Sequence, residues 1–332
     1  MKNYNEIHLS DLANSLKNSY VKVEPVFLFK LLKEASKSEF PAQSKDFAIK
    51  IGCPFNEKFS TCPTIRSWLH KGCAIPFEKL VKIISLTDYK INEIENHIVF
   101  IKSGRRKGTT NIHFPIKISK ELGNIVGHIL GDGAIDKKYV QPFYTNSNLD
   151  LIKEFIRNME FEFGVKPRIW TQTKGNFETK SRWISRINSF ENLPNNCQIG
   201  LFYPRICGLI LYDICGVFAY GKRKQITEEI KDLNKDFKSG LIRAFFDDDG
   251  SINAESYMMR GYQDDKQLLV DIKILLTDLG IKSNRICFYM KKGKARHCFS
   301  ITKRKNFLIY NNSIGFTSIK KQKRLELLAF GK

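Results

Sequence analysis

The chain has 332 residues, 42% hydrophobic and 27% charged, which argues for about two globular domains and against a membrane or disordered class. Its charge is lopsided: 55 Lys and Arg against 34 Asp and Glu leave a formal net charge of +21. Such an excess favours a polyanionic partner, because each phosphate neutralised releases condensed counterions.

The opening residues MKNYNEIHLSDLANSL hold no apolar core segment, which argues against a secretory signal and for an intracellular, cytoplasmic protein. Residues 1–110 read as a mainly helical domain and linker. QSKDFAIKIG is a helix ending at Gly52. In PTIRSWLHKG, Ile65, Trp68 and Leu69 share one face and Gly72 stops the helix. Pro76 opens the next, which buries Phe77, Leu80, Val81 and Ile84. Short helices with outward Arg66, His70 and Lys71 suggest a helix-turn-helix-like DNA-binding module, with Arg66 and Lys71 as its candidate contacts. Cys53, Cys62, His70 and Cys73 fit no standard zinc spacing. None of the eight cysteines forms a C-x-x-C pair, so reduced thiols are expected. SGRRKGTTN (103–111) closes the region as a basic linker.

The remainder is one unit written twice, over 111–236 and 237–332. IVGHILGDGAI answers IRAFFDDDGSI, and FGVKPRI answers LGIKSNRI, both at an offset of about 117 residues. A helical segment separates the two anchors in each copy, and basic, alternating strand-like sequence follows: RIWTQTKGNFETKSRWISRI in one, RICFYMKKGKARHCFSITKR in the other. The expected fold is α+β: helix, hairpin, helix, hairpin, helix in each half, related by a pseudo-two-fold axis. The most apolar window, Ile206 to Tyr220, is too short to span a membrane and carries Asp213, so it reads as a buried helix.

Gly127 and Gly131 lie four apart on one helix face, and Ala244 supplies a matching small residue in the second copy, so the two helices can pack backbone to backbone. Asp132 and Asp249 then emerge side by side at two helix C-termini, an arrangement that repels itself unless divalent cations sit between them. Oxygen ligands of this kind suit Mg²⁺. An Asp-Asp-Asp-Gly turn taken alone is an ordinary helix terminus; the same register at Asp132 is what that reading fails to supply.

GHILGDG and AFFDDDG in a duplicated αββαββα unit resemble the single-chain LAGLIDADG homing endonucleases. YDICGVFAYGKRKQITEEI and IYNNSIGFTSIKKQKRL resemble that family's segments near its catalytic lysines. The resemblance covers roughly Pro115 to Lys332 and extends, more loosely, to free-standing archaeal members with a helical N-terminal DNA-binding region. It implies a monomeric enzyme of a mobile element that makes a staggered double-strand cut at a long asymmetric DNA site, with saddle-shaped antiparallel sheets along the major groove. Asp132 and Asp249 would be the catalytic carboxylates, holding Mg²⁺ (or Mn²⁺) together with the backbone of Gly131 and of Asp248. Lys224 and Lys321 would be the auxiliary lysines, with Lys222 and Lys320 as neighbours near the same register. Base and phosphate contacts are expected among Arg168, Trp170, Gln172, Lys174, Arg182, Arg186, Arg285, Tyr289, Lys291, Lys294 and Arg296, with alternation turning half of them away from DNA.

Three departures from the motif stand out. Leu130 replaces the earlier Asp that Asp247 retains. Thr227 stands where proline is common. Asp248 occupies a small, apolar position facing the helix interface: it tilts outward, adds a metal ligand, or marks a decayed site. His128 and His297 show no convergent partner. The competing class is a non-cutting DNA-binding regulator or RNA-splicing cofactor (a maturase) on the same scaffold. Met1 and the terminal AFGK are not the residues of a self-splicing junction, so an intein is not expected.

Overall fold

The computed structural model describes residues 5–104, 109–136, 138–172, 183–187, 197–215, 224, 226–291 and 294–331; within these, the side chains of 109, 183–187, 214, 215, 291, 294 and 295 are not described. The chain divides into two units: Glu6–Ile116, and Lys117–Lys332 with the first five residues.

The larger unit begins with helix α1 (Lys120–Leu130), started by Ser119, whose hydroxyl accepts from the Leu122 N–H at 2.9 Å. Strands β1 (Gly133–Ile135) and β2 (Pro142–Asn146) follow, then α2 (Leu149–Phe163), β3 (Arg168–Gln172), β4 (Trp183–Ile187), β5 (Gln198–Phe202) and α3 (Arg205–Cys215). The second half repeats the order: α4 (Lys235–Asp249), capped by Asn234, then β6 (Gly250–Asn253), β7 (Met258–Gln263), α5 (Lys266–Asp278), β8 (Cys287–Lys291), β9 (Lys294–Ile301), α6 (Arg304–Ser313) and α7 (Ile319–Phe330). Fold class and duplication are as the sequence implies.

Both sheets are antiparallel, in the orders β4-β3-β5-β2-β1 and β6-β7-β9-β8. Their registers match across the repeat: Gly133 pairs with Tyr144, and 117 residues later Gly250 pairs with Gly261. One difference corrects a simple hairpin-for-hairpin alignment. In the second half β8 and β9 are consecutive and β9 is central, whereas in the first half β5 takes the central place and β4 is an added edge strand. The counterpart of Lys294–Ile301 is therefore Gln198–Phe202, not the nearer RWISRI. Its central place follows composition: the middle of QIGLF is fully buried, as a two-sided strand requires.

Helices α1 and α4 form the centre of the unit. A Cβ on Gly123 would lie 2.0 Å from the Phe237 carbonyl oxygen, and one on Gly240 would lie 2.0 Å from that of Lys120. Each pair maps onto the other by 117 residues, the reciprocity of a two-fold contact. Gly127 lies against the Leu241 carbonyl and the Ala244 methyl, as its spacing suggested. Gly131 instead meets the Asp248 side chain. Around this seam Ile125, Val126 and Ile129 of α1, with Leu241, Ile242 and Phe245 of α4, are buried. Helix α3 buries Ile206, Cys207, Ile210 and Leu211. No helix among the described residues is long and apolar enough to cross a membrane.

The unit Glu6–Ile116 holds helices Pro25–Ser36, Lys45–Lys50, Pro63–His70 and Phe77–Ile84. It also holds a four-stranded sheet, Ile75–Pro76, Tyr20–Val23, Ile98–Lys102 and Thr109–Thr110 in spatial order, which helical periodicity alone does not reveal. Ile65 and Trp68 are buried as expected, and Gly72 takes φ +60°. In the last helix Ile83 is buried while Val81 is 38% exposed, a correction of one position on the helix face. Segments 51–62 and 71–76 that join the helices are longer than the three-to-four-residue turn of a helix-turn-helix. Cys53 and Cys62 are buried whereas Cys73 is exposed, and no three His, Cys, Asp or Glu among the described residues converge as metal ligands.

Seating a methyl group against a carbonyl at the α1–α4 seam forces the helices apart. Gly123→Ala and Gly240→Ala should each destabilise the larger unit by about 2 kcal/mol, in the range of core overpacking. Urea titration would measure this; equal stability to the parent would show that the seam yields.

Candidate active site

The α1–α4 seam delivers Asp132 and Asp249 to one place. Asp249 is the last residue of α4, and Asp132 lies just beyond α1. Both keep a solvent-open face yet sit within protein walls. Burial, then Asp248, push the Asp132 carboxyl up to about 6, against the pull of Lys224 and His128. Burial, then Asp132 and Asp248, push Asp249 up to about 7. The two carboxylates therefore feel each other.

Each is held by a counterpart amide. Asn146 Nδ2 donates to Asp132 Oδ2 at 3.0 Å, and Gln263 Nε2 donates to Asp249 Oδ2 at 3.0 Å. Asn146 ends β2 and Gln263 ends β7, 117 residues apart. Applying the repeat offset to the ends of the strands after each motif would have found this pair; the carboxylates alone do not point to it.

The two lysines occupy matching places and turn to the main chain, not to the carboxylates. Lys224 Nζ donates to the carbonyls of Gly131 (2.5 Å) and Gly133 (3.1 Å). Lys321 Nζ donates to Phe246 (2.8 Å), Asp247 (2.6 Å) and Gly250 (2.8 Å), the last being the counterpart of Gly133. Burial lowers both ammonium groups while the nearby aspartates hold them up. Lys320 is exposed on α7, and Lys222 lies outside the described residues. Asp247 accepts from the N–H groups of Thr317 (2.9 Å) and Ser318 (3.1 Å), holding the two residues that lead into the helix carrying Lys321. Burial pushes Asp247 up to about 6.

Asp248 neither tilts outward nor offers its side chain to a cation. It is fully buried at the seam, with Oδ2 3.0 Å from Nδ1 of an equally buried His128. Burial opposes the histidine's charge, but Asp248 and Glu154 raise it to about 10. His128 thus has a partner that sequence spacing could not supply, because the pair crosses the repeat.

Asp249 opens onto a cavity of about 1190 Å³ on the second sheet, lined by Arg260, Tyr262, Arg285, Tyr289 and Arg296 among others. Arg285, Tyr289 and Arg296 were expected here. Arg260 and Tyr262 were missed, although MMRGYQ is the second strand of the hairpin that leaves the motif. In the first half Arg168, Trp170 and Gln172 share one face of β3, exposed or half-buried. The backbone of Arg186 lies in β4, while Lys291 and Lys294 close the β8–β9 hairpin; their side chains, and all of Lys174 and Arg182, lie outside the described residues. Arg66 and Lys71 are exposed in the other unit.

The donor set fits a divalent cation. It offers the carboxylate oxygens of two like charges whose repulsion a cation would relieve, while Cys287 and Cys298 line the neighbouring cavity as free thiols.

Residues 236–315 match the family model of the LAGLIDADG-like domain. Over 277 residues the chain is 26% identical to the DNA-directed RNA polymerase subunit Rpo1C of Methanocaldococcus jannaschii, covering 80% of this chain and 28% of that protein. Over 261 residues it is 24% identical to the same organism's glutamine–fructose-6-phosphate aminotransferase (isomerizing), covering 77% and 21%. The chain thus spans about a quarter of the length of these relatives. Among solved structures it is similar to variants of the homing endonuclease I-DmoI (16% identity, TM-score 0.38, 59% of this chain and 96% of that one). It is also similar to full-length DUF199/WhiA from Thermatoga maritima (12% identity, TM-score 0.40, 64% and 59%).

Carboxyls that titrate this high keep protons that the unfolded chain releases from about pH 4 upward. Metal-free stability should therefore fall as pH rises from about 4 to 7. Asp132→Asn/Asp249→Asn should lose less over that window and melt higher than the parent at pH 7 in EDTA. A lower melting point for the variant would mean that the carboxylates are not strained.

Proposed function

We propose that this two-motif LAGLIDADG protein is a divalent-metal-dependent, site-specific DNA endonuclease. The observation that carries the reading is the pair Asp132 and Asp249: two partly desolvated, mutually repelling carboxylates that keep an open face, each held by a matching amide, beside an arginine-lined concavity in a chain of net charge +21. Repulsion of this kind is costly unless it has a use.

A further support comes from the relatives. An RNA polymerase subunit and an aminotransferase perform unrelated chemistry, yet each contains a stretch similar to most of this chain and amounting to about a quarter of its own length. A segment shared by unrelated hosts belongs to neither host's activity, which is the behaviour expected of a mobile element's enzyme.

Asp132 and Asp249 would hold Mg²⁺, with Mn²⁺ as a substitute, and the bound ion supplies a water of lowered pKa and charge stabilisation at the leaving oxygen. The chain's own groups do the rest. Asn146 and Gln263 fix the two carboxylates in orientation. Lys224 and Lys321 hold the turns after each motif by their carbonyls; they would bring positive charge toward a scissile phosphate without neutralising the carboxylates through direct ion pairs. Arg260, Arg285 and Arg296 gather backbone phosphates, while Tyr262 and Tyr289 offer apolar and hydroxyl contacts to base edges. Exposed Arg66 and Lys71 would add phosphate contacts from the N-terminal unit.

Incubating the protein with a randomised duplex library in Ca²⁺, then shifting to Mg²⁺ and sequencing bound and newly cut ends, tests the reading. A recurrent staggered cut, absent in Asp132→Asn/Asp249→Asn, is expected. Sequence-selective binding without a cut in either ion would overturn the nuclease and leave a DNA-binding regulator or splicing cofactor.

A further inference from the structure

Two differences between the copies meet. His128 stands where the second helix has Phe245, Asp248 stands where the first copy has Gly131, and their side chains form a 3.0 Å ion pair that excludes water. Either charge alone would be stranded in the seam.

Asp248 does more than neutralise the histidine. Its Oδ1 accepts from Tyr144 Oη at 2.8 Å and from Asn146 Nδ2 at 3.2 Å, and its Oδ2 accepts from the Asp132 N–H at 3.3 Å. Asn146 is the amide that also holds the Asp132 carboxylate. One carboxylate of the second half thus grips the Asp132 backbone, the amide that orients the Asp132 side chain, and the Tyr144 hydroxyl that itself accepts from Asn146 at 3.1 Å. Behind it, His128 Nε2 faces Glu154 Oε2 at 3.8 Å, and Glu154 accepts from Thr317 and from Asn124 Nδ2 (3.3 Å), with Arg243 3.6 Å away.

The pseudo-dyad supplies its own control. Moved by 117 residues, the places of Asp248, His128 and Tyr144 are held by Gly131, Phe245 and Gly261. There Phe245 and Phe299 pack against Gly261 in an apolar patch, and Gly131 has no side chain to reach the Asp249 main chain as Asp248 reaches that of Asp132. Asp249 keeps the Gln263 amide only as the counterpart of Asn146.

We infer that Asp248 is a positioning residue acting across the dyad: it fixes Asp132 of the opposite half, so that the two metal-binding carboxylates are held unequally. In its consequence for strand cleavage this rests on the endonuclease reading. Where each carboxylate chiefly serves the cut of one strand, the strand served by Asp132 depends on Asp248 more than the other does.

The test compares the parent with His128→Leu/Asp248→Ala, which removes both buried charges together and restores the apolar seam of the mirrored side. Asp248→Asn, which keeps the shape, serves if the double variant does not fold. Amide proton exchange in the metal-free protein, read by ¹⁵N NMR, should speed up about tenfold or more at Asp132 and change by less than about twofold at Asp249, as loss of a charged acceptor predicts. On the selected duplex, with each strand end-labelled, one strand should be nicked about tenfold more slowly and the other within about threefold, so that nicked product accumulates. Equal changes at both amides, or at both strands, would overturn the inference. Should the parent cut neither strand, the nuclease reading fails, and the Asp132–Asp249 exchange contrast alone upholds or overturns the positioning role.

Discussion

Gly123 and Gly240 set the constraint on which the larger unit depends. Each lets the partner helix bring a main-chain carbonyl to where a Cβ would otherwise stand. Because the contact is reciprocal, it fixes distance, register and symmetry at once. Two helices that close cannot slide without a backbone clash, so their last turns arrive together. Everything at the site inherits its place from that seam: the two aspartates, the turns after them, and the strands that begin at Gly133 and Gly250.

The seam also creates an electrostatic problem. It gathers Asp132, Asp248 and Asp249 at two helix C-termini, where the dipoles disfavour negative charge. The protein treats the three differently. Asp248 is withdrawn from water and matched with His128. Asp132 and Asp249 face the opening and are held by neutral amides, with the lysine ammonium groups bonded to carbonyls and not to them. A direct ion pair would have quenched the site. Neutral donors keep the carboxylates in place without neutralising them.

Symmetry is kept along the helix seam and in the turns that leave it, and is broken at the outer sheet edge and in one buried polar cluster. The pairs Gly133/Gly250, Asn146/Gln263 and Gly123/Gly240 hold to one offset. The sheets diverge at their outer edge, where β4 is added and β5 enters the centre. The polar His128–Asp248–Tyr144 cluster lies on one side only, with glycine and phenylalanine opposite. Duplication followed by separate change of the halves accounts for all three patterns, since nothing in a single chain forces its halves to stay alike.

The sequence by itself determined the duplication, the small residues at Gly127 and Ala244, and the identity of Asp132 and Asp249. Each is written in spacing along the chain, and a repeat offset is a one-dimensional quantity. It also determined the excess of positive charge. Only the tertiary structure decided what pairs across the repeat. His128 and Asp248 lie 120 residues apart and neither carries a local signal of the other; close packing of two helices makes them partners. The same holds for Lys224 and Lys321, whose neighbours in GKRKQ and KKQKR look alike in composition. The carbonyls that select Lys321 over Lys320 are assembled by the turn after the second motif, and the N-terminal sheet is assembled likewise from strands too short to show a period. Periodicity reports which face of an element is buried; which element buries it, and what polar group waits there, is settled only when the chain closes on itself.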